Sequence, residues 1–523
     1  MFNGTIQSDF LKIPPLNDSQ KADLIDFAAT DFVTIREALV NYIKATYPMD
    51  YQNFSESDLG MMLIELVSYM GAVMSLKADM LANENFIATA RNRNNVKKLL
   101  ELIGVRMKGP VGSVANATLT LTPPSTASRF NINQSARTIT SISPEDGGPL
   151  NFTLYKTVNG SLDNPRADGS LHLTVNESDS NTSAVWSNLM LLEGSLAVQT
   201  GTFLGTESIK KIPLTAAPVI EGSVEVFIEA EDLTLSGSWE QVDSLYFSSG
   251  LQNIFEVQYN DNYEATVVFG DGRNGNVAPA GANYTVFYRV GGGSRGNMRS
   301  DVINTSITLS NGVTGIIQNS SMATGGRDAE TVEHAKTYGP LTFKRQDRLV
   351  TVEDYSTFAN TFVSVTGSTA KARAATREAY SSANIIDLYI LQVASNLQLQ
   401  QATIAFKKEM LEAIEPKKML TDEIILVDGL VRTLDLVVSI RIDKKLLPKE
   451  EEIKGKVRQK LQDYFHVDNM DFGKTLVLAD LNREIFSVPE VRFSTVDNLT
   501  DDVQVDFNEI IQLNNFTINV LGV

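Results

Sequence analysis

The sequence predicts a multidomain α+β protein: an N-terminal helical domain, a central β-rich domain and one or two C-terminal α+β sandwich-type domains. Three observations predict it. Apolar residues recur at helical spacing up to about residue 110, alternate singly between Ser, Thr, Asn and Gly-rich loops from about 111 to 330, and switch between the two periods after 331. With 523 residues, about three domains are expected. The boundaries fall at 1–110, 111–330 and 331–523, and the poorly patterned stretch 122–200 is a candidate insertion.

In the first domain, Asp31 to Thr46 carries Phe32, Ile35, Leu39, Tyr42 and Ile43 at helical spacing, and Pro48 ends it. Ser55-Glu56-Ser57-Asp58 is an N-cap cluster for a second helix. Along that helix Leu59, Met62, Leu66, Tyr69, Val73, Leu76 and Met80 follow in steps of three and four, which is heptad spacing. A second seam is made of small residues, Ser68, Gly71, Ser75, Ala78 and Ala82, and lets a neighbouring backbone approach closely. Two nearby seams predict packing over a broad arc; the neighbour is either a helix of the same domain or another chain. A third helix, Arg93 to Ile103, turns Val96, Leu99, Leu100 and Ile103 inward and stops at Gly104.

The β-rich domain contains the most informative stretch. Ala265–Phe269 reads as a strand; Gly270, Asp271, Gly272 and Gly275 form a turn; Tyr284–Val290 is a second strand; Gly291, Gly292 and Gly293 make a corner. A phosphate cradle needs a helix opening directly after its glycines. Here Pro279, Gly281 and a strand follow, with no Gly-Lys-Ser/Thr, so the glycines are read as structural. Asp271 is the one carboxylate of the turn, whereas a calcium loop needs several oxygen ligands. It is therefore expected to bond its own backbone.

Beyond 331, Ala329 to Lys336 and Val352 to Phe362 read as helices and Asn384–Leu391 as a buried strand. Gln398 to Ile414 reads as a helix, and Glu423–Val427 with Leu434–Ile440 as a hairpin around Asp428-Gly429. Glu450 to Phe465 is amphipathic, with Ile453, Val457, Leu461 and Phe465 on one face, and Ala479 to Phe486 is a short last helix.

Composition removes several function classes. The chain has no cysteine, which excludes disulfides, thiolate metal sites and cysteine nucleophiles. Its three histidines, His172, His334 and His466, lie far apart, which leaves neither a zinc pair nor a histidine-based triad. A formal net charge of −18 argues against nucleic-acid binding. The basic run Arg91–Lys98 has no interleaved aromatics for base stacking. No run approaching the ~20 apolar residues of a bilayer span is read, so no membrane insertion is expected. Met1–Thr5 has no basic n-region, so no secretory signal is expected. Asp471-Phe472-Gly473 lacks the companion motifs of a kinase. No catalytic set, cofactor site or metal site is expected.

Three segments resemble one family, the baseplate J-like or baseplate wedge subunits of contractile-tailed phages (myoviruses) and related contractile injection systems. The first runs from Asn53-Phe54-Ser55 through Ile64-Glu65-Leu66, Tyr69 and Asn83–Arg91 to Leu102–Val105. The second is the Phe269–Asn297 block, and the third is Arg348–Tyr355 after Gly339-Pro340. The resemblance implies a virion structural protein of the tail baseplate, made in the host cytoplasm. Such a subunit assembles with other wedge proteins and a second copy of itself into a six-fold ring around the hub, which rearranges on sheath contraction. Hub and sheath-initiating proteins would be indirect partners. It implies that the Leu59–Ala82 helix joins a bundle or core and that the region beyond 331 contacts neighbouring wedges. A receptor-binding or adhesin-type tail protein is the alternative, and a carbohydrate-active tail enzyme a more distant one.

Overall fold

The computed structural model describes residues 31–522 apart from 50, 56–57, 122–128, 144–146, 160, 164–167, 180–183, 206–208, 233, 243, 246–247, 261–262, 310–311, 347, 378–384 and 396–397. The readings at Met1–Thr5, Glu56, Ser57 and Asn384 lie outside the described residues. The chain has N-terminal helices, a large β-rich centre and C-terminal α+β elements. It divides into two compact units, one of Met1–Met107 with Thr331–Phe343, the other of Lys108–Glu330 with Lys344–Val523.

In the first unit, helix Phe32–Thr46 opens on a capping box. The Asp31 carboxylate accepts from Thr34 N at 2.8 Å, and the Thr34 hydroxyl accepts from Asp31 N at 3.1 Å. Helix Leu59–Asn83 is capped by Asp58, which accepts from Gly60 N at 3.0 Å. The Tyr51 hydroxyl donates to the same carboxylate and holds it below its usual range. The two helices lie side by side: Ile35 packs against Gly71, and Arg36 pairs with Glu65 at 3.2 Å. Helix Arg93–Leu102 ends at Ile103, and Gly104 takes φ +76°, the left-handed stop that glycine allows without steric cost. Ala90, Val96, Leu100, Met107 and Ala335 form the small core.

Two expectations change in this unit. The helix expected at Ala329–Lys336 begins at Val332 and continues to Arg345 through Pro340. The apolar stretch also proves long. Helix Leu59–Asn83 has 25 residues, about 37 Å, and is the one helix among the described residues long and apolar enough to cross a membrane. Counting consecutive apolar letters missed it because Gly60, Glu65, Ser68 and Gly71 interrupt the run without making its average polar.

The second unit begins with a seven-stranded antiparallel sheet. Its order is Asn304–Thr308, Thr314–Asn319, Val114–Leu121, Val185–Glu193, Pro149–Val158, Thr138–Ile142, with Ser161–Asp163 added to Pro149–Val158. Residues 122–200, read as a candidate insertion, thus supply strands to the middle of this sheet. Val185–Glu193 does not alternate because Leu189–Glu193 is buried on both faces, whereas Pro149–Val158 alternates Leu150, Phe152 and Leu154 with polar residues, of which Thr153 is also buried. Trp186 and Phe130 meet edge to face in the core at 5.3 Å.

A second seven-stranded sheet runs Ser195–Thr202, Asn283–Val290, Glu225–Glu229, Gly237–Val242, Ile254–Tyr259, Ala265–Phe269, Lys211–Pro213. Ala265–Phe269 and Asn283–Val290 flank the glycine turn but are not neighbours, so the turn starts a crossover rather than a hairpin. Phe269 is the centre of the core, with Phe203, Trp239 and Phe255 around it.

The remainder holds two smaller sheets. Ile385–Ser395 pairs with Lys371–Thr376, Gln398–Gln400 and, in parallel, Glu423–Asp428, and helices Val352–Thr361 and Ile404–Ile414 pack against it. The expected helix Gln398–Ile414 therefore divides: its first residues add to the sheet, and Thr403 caps the helix proper, accepting from Phe406 N at 3.3 Å. The expected hairpin around Asp428-Gly429 is also corrected. Glu423–Asp428 stays in this sheet, whereas Leu430–Ile442 leaves for a three-stranded one between Val491–Val496 and Glu509–Gly522. Parallel partners distant in sequence outcompete the local turn because they extend further, from Leu430 beside Glu509 to Ile442 beside Gly522. Helix Glu450–Tyr464 lays Ile453, Val457 and Leu461 on that sheet, with Phe465 following.

Candidate assembly interface

Helix Leu59–Asn83 buries Met61, Ile64, Ser68 and Asn83, and Gly71 meets Ile35 on the same side. Of the small seam, Ser68 is buried, Gly71, Ser75 and Ala82 are half-buried and Ala78 is exposed. The large seam points elsewhere: Leu59 is 71% exposed, Leu66 56% and Tyr69 63%, with Met62 and Leu76 also exposed and Val73 and Met80 half-buried. Sequence reasoning missed Leu63, Val67, Met70, Met74 and Leu81, which are exposed as well. Apolar side chains therefore wrap much of the helix without a cover among the described residues, and exposed apolar patches of this extent commonly mark protein or membrane contacts. The uncharged run between Glu65 and Lys77 is the signal for Val67, Met70 and Met74; Leu63 and Leu81 lie outside it.

The glycine block is set by backbone geometry. Asp271 Oδ1 accepts from Arg273 N at 2.9 Å and Asn274 N at 2.8 Å, which holds the carboxyl below its usual range. Gly272 (φ +87°) donates its N–H to Gly275 O at 3.0 Å, and Gly275 has φ +81°. A Cβ on Gly270 would collide with the carbonyls of Asn274 and Gly275. Gly291, Gly292 and Gly293, at φ +133°, +92° and +127°, turn the chain out of its strand, and Gly293 N bonds Val111 O at 3.1 Å. Gly272→Val is expected to destabilise the protein by about 1–3 kcal/mol, because a β-branched residue is strained at that φ. A thermal melt reads it, and an unchanged Tm would remove the conformational requirement.

Behind this corner lies a buried charged cluster that sequence reasoning did not single out. Glu193 ends a strand of the first sheet and accepts from Ser113 N at 2.9 Å, with Gly296 packed on its carboxylate. Arg289, from the second sheet, is fully buried and donates to Glu193 O at 2.7 Å and Val365 O at 3.3 Å. Arg137 is also buried; it donates to Leu154 O at 2.9 Å and Gly169 O at 2.7 Å and sits 4.7 Å over the Tyr155 ring. Glu225 is half-buried as a residue, yet its Oε2 is covered. Burial pushes Glu193 and Glu225 each up to about 7, with Arg289 opposing the rise at both and Arg137 at Glu225. Burial also lowers Arg137 and Arg289. The signals for this cluster were an arginine inside the apolar strand Asn283–Val290 and a glutamate directly before Gly194. Arg289 of the second sheet, bonded to the Glu193 carbonyl of the first, is the contact of this cluster that joins the two large sheets.

Elsewhere, Asp471-Phe472-Gly473 is a structural turn: Asp471 pairs with Lys371 at 2.8 Å, Phe472 enters the core and Gly473 has φ +72°. Arg327 reaches Asp468 at 3.5 Å. Among the described residues no group of three or more His, Asp or Glu is placed to hold a metal ion.

Residues 31–102, the helical segment that carries the exposed helix, match the family model for the N-terminal domain of bacteriophage baseplate proteins. That match supports a structural baseplate component. No curated protein matches the chain. Among solved structures, the chain is similar to one in the six-fold-symmetrised cryo-EM structure of the anti-feeding prophage baseplate, at 10% identity over 91% of this chain and 90% of that one. The TM-score is 0.29, too low for that likeness to carry an argument.

Proposed function

We propose that this protein is a non-enzymatic structural subunit of a baseplate wedge in a contractile phage tail or related injection system. The observation that carries the reading is the exposed apolar face of Leu59–Asn83 within a segment of baseplate N-terminal type. Residues 1–110 form the wedge core or bundle element, with Leu59, Met62, Leu66, Ser68, Tyr69, Gly71, Val73, Ser75, Ala78 and Ala82 as its packing residues. Residues 111–330 form a rigid β spacer held by the glycine turn and corner. Residues 331–523 carry the contact between wedges in the six-fold ring. Its partners are other wedge proteins and a second copy, its place is the virion tail baseplate, and it needs no cofactor.

Co-expression with the proteins encoded beside it, followed by mass measurement of what co-purifies, tests this. The full chain is expected in a stoichiometric complex. Leu66→Glu with Tyr69→Glu should leave its melting temperature unchanged, since both side chains are exposed, and remove it from that complex. Undiminished co-purification of the double variant would overturn the role of the helix. The same helix has the length of a membrane span. Its Glu65–Arg36 ion pair favours a protein partner, since charge in hydrocarbon is costly. Flotation of the full chain with phospholipid vesicles would reverse that preference.

A further inference from the structure

We infer that the hairpin Val363–Ser368 is a proton-dependent latch: it clasps the sheet built on Ile385–Ser395 to the two large sheets, and it opens when the carboxyls around its tip ionise. Val363–Ser364 and Gly367–Ser368 pair antiparallel, which puts Val365 and Thr366 at the tip. Three layers meet there. Val365 packs against Val114, Tyr155, Met190 and Leu192 of the first sheet and against Ala405 of helix Ile404–Ile414. Gly222, on the turn before strand Glu225–Glu229 of the second sheet, lies beside the backbone of Ser364 and Val365.

Two bonds hold the tip, and both exist only in the closed arrangement. Arg289 Nη2 donates to Val365 O at 3.3 Å, and the Thr366 hydroxyl donates to Glu409 Oε2 at 2.6 Å. Arg289 belongs to the second sheet and Glu409 to helix Ile404–Ile414, so the tip is pinned from both sides. Thr366 is fully buried, and lifting the tip would admit water to it and to the carboxyls behind it.

The charges around the tip do not balance. Glu193, Glu225 and Glu409 all act on Arg289, and the other guanidinium of the junction among the described residues, Arg137, faces Glu225. Three carboxyls thus share two guanidiniums. At the rim, exposed Arg295 faces Glu193 and exposed Glu412 faces Glu409, with opposite signs. Lys408 of the same helix is bound to Asn159 O and Ser161 Oγ, and buried Glu221 accepts from Gly109 N at 2.9 Å. Tyr155 faces both guanidiniums and Glu225, and burial keeps its hydroxyl protonated. Ser113 bonds Glu193, and Ser364 and Thr366 bond Glu409. An unpaired carboxylate is costly to bury, so the closed junction retains a proton. Burial raises all three carboxyls, Glu193 and Glu225 to about 7. Water reaching them in an open junction returns them toward the ordinary value. The protonated carboxyls therefore favour closure, and that preference is lost as pH rises through about 7.

A latch of this kind works within one chain and stands or falls apart from the wedge reading. The test is hydrogen exchange of the full chain, corrected for the pH dependence of the intrinsic rate. In wild type, protection at 363–368 is expected to fall by about tenfold or more between about pH 6 and pH 8, while helix Glu450–Tyr464 keeps its protection. Glu409→Gln still offers Thr366 an acceptor and leaves two carboxyls for two guanidiniums, so its fall should shrink to less than about threefold. Glu412→Gln, at the exposed rim, should follow wild type. Protection at 363–368 that ignores pH overturns the proposal, and so does a loss shared equally by 450–464, which is global unfolding. An undiminished fall in Glu409→Gln overturns it as well.

Discussion

Arg289→Met is expected to cost the second unit about 3–5 kcal/mol, the usual penalty for stripping the partner from buried charge. Methionine fills much of the space, so the loss is electrostatic rather than a cavity. Glu193 O and Val365 O would lose their donors, and Glu193 and Glu225 would lose the cation that opposes their desolvation. The effect reaches both large sheets, because Arg289 belongs to one and Glu193 to the other. The chain offers its own probes: its two tryptophans, Trp186 and Trp239, lie in the cores of the first and second sheet respectively. Urea unfolding followed by tryptophan fluorescence should show a lower midpoint. Arg289→Lys should fall between, since it keeps the charge and loses the planar fork. A wild-type midpoint in Arg289→Met would mean that the cluster does not hold the sheets.

Stability is expected to fall as pH rises from about 5 to above 8. Glu193 and Glu225 are each raised from 4.5 to about 7 by burial. A carboxyl raised on folding favours the native state when protonated. Its contribution is complete below the unfolded value and is lost as pH climbs through the folded one. A shift of this size corresponds to roughly 3 kcal/mol per group. Glu193→Gln keeps an acceptor for Ser113 N and cannot ionise, so its Tm should drop less over that interval than wild type, by several degrees. The comparison between the two proteins removes the general repulsion of a chain at −18. Parallel Tm–pH curves would refute the assignment. Asp58 and Asp271 act with the opposite sign: both are lowered, so their contribution is present above the ordinary carboxylate range and lost in acid.

The sequence alone determined what local chemistry controls. The helix bounded by Asp31 and Thr46, the caps at Asp58 and Gly104, the strand Ala265–Phe269, the Asp271 turn and the inward row Ile453, Val457, Leu461 and Phe465 all depend on residues within a turn or two of each other. Periodicity also separated the helical, β-rich and α+β parts. Tertiary structure decided where strands pair. Glu423–Asp428 and Leu430–Ile442 read as a hairpin but enter different sheets: Leu430–Ile442 pairs in parallel along its whole length with Glu509–Gly522, longer than the six-residue Glu423–Asp428 allows, and Glu423–Asp428 pairs in parallel with Ile385–Ser395 instead. It placed Pro149–Val158 and Val185–Glu193, from the stretch read as a candidate insertion, inside a seven-stranded sheet, where a run of consecutive buried residues in Val185–Glu193 erases alternation. It chose which arc of Leu59–Asn83 meets the neighbouring helix and which stays uncovered, a choice that heptad spacing leaves open when nearly every position is apolar. It also assembled Arg137, Glu193, Glu225 and Arg289, whose partners lie on strands far apart in the chain. A buried charge is stable only where its counter-charges and carbonyls converge, and convergence is a property of the fold rather than of any window of sequence.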